Sequence, residues 1–361
     1  MKIHTRRLIS ILLSMAVILM LFTACSSDNK PSSTDGADST AADPDKVYEI
    51  SFSMHDPVTS AKLKYYQELA DKTKAATNGG LKITIFPSGT LVAGTDAAEG
   101  VLSGATDMGW LFTAFFPGQF PILEAISLPM ITDDSIVGTK AIQALYEESE
   151  ALQAELSQYK ILGIYCNPIN YIYTADPVYT VSDLAGLTLR CPAGVVTDTV
   201  AAWGGTPILM GPGDMYQSIE KKVIGGYVFE WSGVGTFKLA EVTNYCTELP
   251  VNVGTFVAAM NIDKWNSLPE EYQQVIEEIW CTNEASLDLA QIFIDDMNAA
   301  RDDAINNQGV TIITPTTEQI ATFKPAAETY IENWISSSST STFDAQAYYN
   351  RMIELIEEFS S

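Results

Sequence analysis

With 20 Lys+Arg against 45 Asp+Glu in 361 residues, the chain carries a formal net charge of −25, which argues against nucleic acid and against direct docking on anionic lipid. Histidine occurs only at positions 4 and 55, and the five cysteines form no CxxC or Cys/His spacing. His-based triads and His-rich metal sites are thereby excluded, and no cofactor is implied.

In chain order, the first segment reads as an export signal. Lys2, Arg6 and Arg7 form a basic start, Leu8 to Phe22 is an apolar run, and Thr23-Ala24 precede Cys25. The run is short for a membrane span and long enough for a signal core. This end resembles a bacterial lipoprotein signal, with residues 1–24 removed and Cys25 lipidated, although Phe22 stands where Leu is more usual. A plain cleaved signal with an incidental cysteine is the simpler alternative. Removing 1–24 takes three of the 20 cations and no acid, so the mature charge is 17 − 45 = −28. Residues 25–46, rich in Ser, Thr, Asp, Ala and Pro without apolar periodicity, read as a disordered tether.

About 315 residues follow, enough for two lobes. Val47 to Met54 and Leu81 to Phe86 alternate as strands, and Ser60 to Thr77 between them carries apolar residues at helical spacing. A helix near Asp96 to Ser103, a strand at Met108 to Phe112, a helix over Asp134 to Gln158 and a strand at Ile161 to Cys166 continue the alternation. Next come helices at Val195 to Trp203 and Asp214 to Lys222, a strand at Gly226 to Trp231, and an extended stretch at Asn252 to Met260. Pro269 to Asn306 reads as one helix, about 55 Å long if straight and therefore shared by both lobes. Alternation of this kind predicts an α/β fold. Cys166, Cys191, Cys246 and Cys281 are expected to be free and mostly buried, and Trp203 and Trp280 fit helix stripes as core.

No G-x-S-x-G, H-E-x-x-H, Walker A or G-x-G-x-x-G occurs, so the chain reads as a binder and not an enzyme. Arg190 is the single arginine between Leu8 and Ala300, placed at the end of a short strand and before Pro192. A guanidinium there can grip a carboxylate bidentately, or it can serve an internal salt bridge.

Asp183-Leu184-x-Gly186-Leu187-x-Leu189-Arg190-x-Pro192, Gly204-Gly205-Thr206-Pro207, Asp214-Met215-Tyr216-Gln217 and Asn261-x-x-x-Trp265-x-x-Leu268-Pro269 follow one another in order. With Ser88-Gly89-Thr90-Leu91 and Gly104-Ala105-Thr106-Asp107 upstream, the stretch from about 47 to 330 resembles the DctP-type solute-binding subunits of TRAP transporters. The resemblance implies a two-lobed periplasmic-binding-protein-like fold, type II of the TRAP class, with a long helix spanning both lobes. It places lobe I at 47–167 and 254–294 and lobe II at 168–253 and 295–361. It implies that Arg190 anchors the carboxylate of a small organic acid, which is delivered to small and large TRAP membrane subunits. The protein would then be extracytoplasmic and held to the cytoplasmic membrane by a lipid anchor only.

Three departures bear on the ligand. Asn170 stands where some relatives have a second arginine, Lys222 to Gly226 lacks an expected Asp, and Phe229 occupies a position often polar. One Arg among aromatics favours an apolar or aromatic monocarboxylate over a dicarboxylate. Arg190, Asn170, Phe229, Trp110, Trp231 and His55 are the candidate ligand contacts. Aromatic neighbours such as Phe112, Phe115 and Phe116 can equally be core, and His55 can equally bond its own turn. Glu230 could bind a ligand amine or cap a surface, and Tyr171 and Tyr173 could contact ligand or cover the hinge. The rival functions are a binding lipoprotein of another transporter class or sensor, and a carboxylate-dependent hydrolase.

Overall fold

The computed structural model describes residues 46–361. The export signal, Cys25 and all of the tether but Lys46 lie outside the described residues. Eleven strands occur among them: β1 (Tyr48–Ser53), β2 (Leu81–Phe86), β3 (Met108–Phe112), β4 (Tyr159–Cys166), β5 (Asn170–Thr174) and β6 (Thr188–Cys191). The rest are β7 (Thr206–Leu209), β8 (Gly226–Phe229), β9 (Tyr245–Asn252), β10 (Thr255–Asn261) and β11 (Thr311–Ile313). They form two sheets, ordered β2-β1-β3-β10-β4 and β11-β9-β5-β8-β6-β7, one in each lobe of the expected α/β fold.

The chain leaves the first sheet between β4 and β5 and re-enters it between β9 and β10. Only Asn167 to Ile169 and Val253-Gly254 separate these strands. Alternation along β10 shows why both faces need cover. Phe256, Ala258 and Met260 join one core cluster, while Val257 and Ala259 join the cluster on the opposite face. A sheet apolar on both faces must be clothed by helices on both. The second sheet behaves alike: Ile172 and Val228 face one cluster, Tyr173 and Tyr227 the other.

The helix expected over Pro269 to Asn306 is two, Glu270–Trp280 and Asn283–Asn306. Thr282 is extended and its hydroxyl accepts the Ala285 N–H at 3.0 Å, so the break is an N-cap. The second helix still serves both lobes: Phe293 packs in the first and Met297 and Ala304 in the second. The helix over Asp134 to Gln158 is likewise divided into Ser135–Glu148 and Glu150–Leu156, with Ser149 capping the second piece through the Leu152 N–H.

Residues 295–361 do not all pack with the second lobe. Helix Ala345–Phe359 places Tyr348, Met352, Leu355 and Ile356 in the first lobe's core, at helical spacing. Trp203 and Trp280 are core, their indole N–H groups donating to Phe323 O at 3.0 Å and Thr73 Oγ1 at 2.8 Å. Cys166, Cys191, Cys246 and Cys281 are free and the first three are buried. Burial pushes the Cys166 thiol up to about 12.

Candidate functional site

A cavity lies between the lobes, lined by residues of both. Its first-lobe wall is a stack of aromatic rings. Trp110 and Phe112 alternate on β3 toward the same face, and Phe256 on β10 stands beside them. Ring centroids are 4.5 Å apart for His55–Trp110, 4.5 Å for Trp110–Phe256 and 4.8 Å for Phe112–Phe256, each pair tilted by 22°. Phe293 closes the stack at 5.4 Å from Phe256. The Trp110 indole N–H donates to Tyr165 Oη, which in turn bonds Tyr66 Oη at 3.0 Å. With its only donor spent behind it, Trp110 offers an apolar surface.

Arg190 comes from the second lobe. Leu189 and Cys191 on β6 face the core, and alternation turns Arg190 to the other side. Its side chain is fully buried. Nε donates to Met210 O at 2.9 Å, one Nη to Val228 O at 3.4 Å, and Phe229 lies 5.0 Å from Cζ. A guanidinium has five N–H groups, and the protein engages two. Among the described residues no carboxylate forms an ion pair with it. Burial without a counter-charge lowers its pKa to about 10, with the neighbouring Cys191 opposing, so it stays charged at neutral pH. Among the described residues, the internal salt bridge that would make Arg190 structural is absent.

A third group of residues adds charge. Lys62 is 2% exposed and sits 3.0 Å from Asp296 and 3.6 Å from Asp56. Burial opposes its charge, but Asp56, Glu230 and Asp296 outweigh that and raise its pKa. Glu230 caps helix Trp231–Thr236, Oε1 accepting the Gly233 N–H at 2.7 Å, while Oε2 is buried with no hydrogen-bond partner. Burial pushes the Glu230 carboxyl up, and Lys62 pulls it partly back. Gly233 permits this crowding, since a Cβ there would stand 2.3 Å from Phe229 Cε1 and 2.7 Å from Glu230 Oε1. His55 is held neutral: burial lowers its pKa, against Asp56, and its Nδ1 has no partner.

Arg190, Trp110, Phe229 and His55 therefore line one cavity, as expected of ligand contacts. Trp231 does not. It packs edge-on against Tyr173 at 4.9 Å inside the second lobe, because the helix beginning there turns it away from the strand direction. Asn170 instead lines an adjoining hollow with Phe112, Glu124, Pro192 and Asn252, its Nδ2 donating to Asn252 Oδ1 at 3.0 Å between the two crossing strands. Tyr173 stacks on Tyr227 at 4.7 Å and is core. Sequence reasoning missed Lys62, Phe256 and Phe293. Lys62 had a signal: a lysine in register with Tyr66, Leu69, Ala70 and Thr73 on a buried helix stripe. Larger hollows beside Thr174 to Asp176 and beside Ile122 and Phe343 hold no buried cation; Lys222 at the first is exposed.

Residues 52–337 match the family described as bacterial extracellular solute-binding protein, family 7 (DctP). A 2,3-diketo-L-gulonate-binding periplasmic protein of Escherichia coli is 24% identical over 57% of this chain and 63% of its own length. A monocarboxylate 2-oxoacid-binding periplasmic protein of a Nostoc species is 25% identical over 68% of this chain and 65% of its own. The chain thus spans a little under two thirds of the length of these curated relatives. A solved TRAP solute-binding protein from a marine metagenome, specific for aromatic acids and complexed with metahydroxyphenylacetate, superposes with a TM-score of 0.81 at 26% identity. That match covers 88% of this chain and 100% of the other.

Proposed function

The chain belongs to the DctP family of bacterial extracellular solute-binding proteins, and from that premise we propose that it captures an aromatic monocarboxylate between its lobes for a TRAP transporter. The observation that carries this is Arg190: fully buried, charged, unpaired with any described carboxylate, and beside a wall of aromatic rings. A buried charge with unused donors is costly unless something fills the place opposite it. A carboxylate supplies the counter-charge, and an aromatic body fits the stack of Trp110, Phe112, Phe256 and Phe293. The aromatic-acid specificity of the metagenome protein supports the same ligand class.

In this reading the links at Asn167 to Ile169 and Val253-Gly254 act as the hinge. Ligand contacts to both lobes favour the closed form. Lobe I takes 47–167 and 254–294, now joined by the C-terminal helix, and lobe II takes 168–253 with the remainder. The protein binds and releases its ligand without chemistry and passes it to the small and large membrane subunits. Cys25 carries a lipid that holds it to the outer face of the cytoplasmic membrane; no described helix is long and apolar enough to cross one. Cys25→Ser should shift the protein from the membrane fraction to the soluble one, and unchanged fractionation would remove the anchor.

The deciding experiment is thermal shift followed by calorimetry on the purified protein with benzoate, phenylacetate, aliphatic monocarboxylates and dicarboxylates. A ligand at a thousand times its Kd adds about 4 kcal/mol of stability, a shift of several degrees. Aromatic monocarboxylates should give that shift, and Arg190→Met should abolish it. Tight binding that survives Arg190→Met would sink the anchor.

A further inference from the structure

We propose that the ligand is an aromatic acid bearing a hydrogen-bond donor, a hydroxyl or an amine, remote from its carboxylate, and that Glu230 reads that donor. This rests on the reading of Arg190 as carboxylate anchor and names what the other end of the cavity selects.

Glu230 is 4% exposed and lines the cavity, yet only Oε1 is engaged. Its Oε2 is buried without a partner; Ser232 is near enough to influence the carboxyl but makes no hydrogen bond of regular geometry to it. In the ionised form, which Lys62, Ser232 and Gly233 favour against burial, the carboxylate can only accept, so what satisfies Oε2 in that form must donate. Lys62 makes no hydrogen bond to it: its ammonium bonds Asp296 at 3.0 Å and lies 3.6 Å from Asp56.

Charge separates the two ends of the cavity. Near Arg190 there is a cation without a described carboxylate. Around Lys62 there are three acids, Asp56, Glu230 and Asp296, against one ammonium. Glu230's charged partner is Lys62, and Arg190 feels no described acid. A second carboxylate on the ligand would meet that acidic end, whereas a hydroxyl or amine would be welcomed. A site built around a buried acceptor rejects an analogue that lacks the donor far more strongly than an apolar pocket rejects a missing methylene.

Calorimetry on the full chain tests this with benzoate, 3-hydroxybenzoate, 3-aminobenzoate and 3-methoxybenzoate, and with the 4-substituted series. The hydroxy or amino acid should bind at least about tenfold tighter than benzoate, and the methoxy acid, which keeps the oxygen but loses the donor, should not. The hydroxy and amino arms tell the two donor sources apart. Glu230→Gln keeps the acceptor for the Gly233 N–H and places an NH2 where Oε2 stood. It should bring the hydroxy or amino acid to within about threefold of benzoate, each measured on the same variant. Should that variant fail to fold, the wild-type series decides alone. Equal binding of benzoate and the donor-bearing acids, equal gain from methoxy, or a preference that survives Glu230→Gln overturns the proposal while leaving the Arg190 anchor standing. Absence of binding by every acid overturns both.

Discussion

A buried arginine that serves the fold and one that serves a ligand predict opposite consequences of removal. Deleting one partner of a buried salt bridge strands the other charge and costs about 3–5 kcal/mol. Arg190 has no described carboxylate to strand, only two backbone carbonyls. Arg190→Met strands only those two carbonyls and relieves an uncompensated buried charge, so the ligand-free protein should stay within about 1–2 kcal/mol of the wild type in urea, while ligand-induced stabilisation is lost. A loss of several kcal/mol without ligand would mark the residue as structural. At this scale the sequence was legible where a residue was chemically isolated. Arg190 stood out because no other arginine lies near it in sequence, and His55 just past β1, Trp110 within β3 and Phe229 at the end of β8 line one cavity. Trp231 falls in the strand expected over Gly226 to Trp231, but that strand ends at Phe229 and a helix begins at Trp231 instead. Asn170 holds Asn252 where the two line a hollow beside the cavity, a pairing across 82 positions that no local pattern reveals.

Elements were legible where apolar periodicity was uninterrupted. The βα alternation of the first lobe, the strands that carry Trp110 and Arg190, and the amphipathic helix Ala61–Ala76 all follow from spacing. Breaks inside long helical patterns were not, because the stripe continues across them. Ile276 and Trp280 before the break and Leu289 and Phe293 after it bury against the same core. What divides the two helices is the local competition that Thr282 wins by capping the Ala285 N–H. Thr282→Ala should cost about 1 kcal/mol in urea denaturation, the usual worth of such a cap. Because Phe293 reaches the cavity from the helix that Thr282 starts, ligand affinity should fall modestly as well. No change in stability would mean the two helices can fuse into the single one expected from sequence.

The whole molecule gathers acid at the meeting of elements far apart in sequence. Glu124 is pushed up to about 7 by burial first, then by Glu155 and Asp198, and its Oε1 has no partner. Glu155 is itself engaged by the Ile122 and Leu123 N–H groups at 2.8 and 2.9 Å, and Asp198 by the Tyr330 hydroxyl at 3.4 Å. No described cation pairs with Glu124. Its folded pKa lies above the ordinary 4.5, so between pH 4.5 and about 7 the folded state holds a proton that the unfolded chain has released. Stability therefore falls as pH rises through that window and stays lower above it. The full shift would be worth about 3 kcal/mol at 1.36 kcal/mol per unit, and partial exposure of the side chain reduces this to on the order of 1–2 kcal/mol. Glu124→Gln, which keeps the shape and removes the charge, should stabilise the protein by that amount at pH 8 and change little at pH 4.5. Urea denaturation at the two pH values measures it. A variant less stable at pH 8 would mean that the carboxylate is doing work there, holding a cation or a donor that faces the lobes' meeting point.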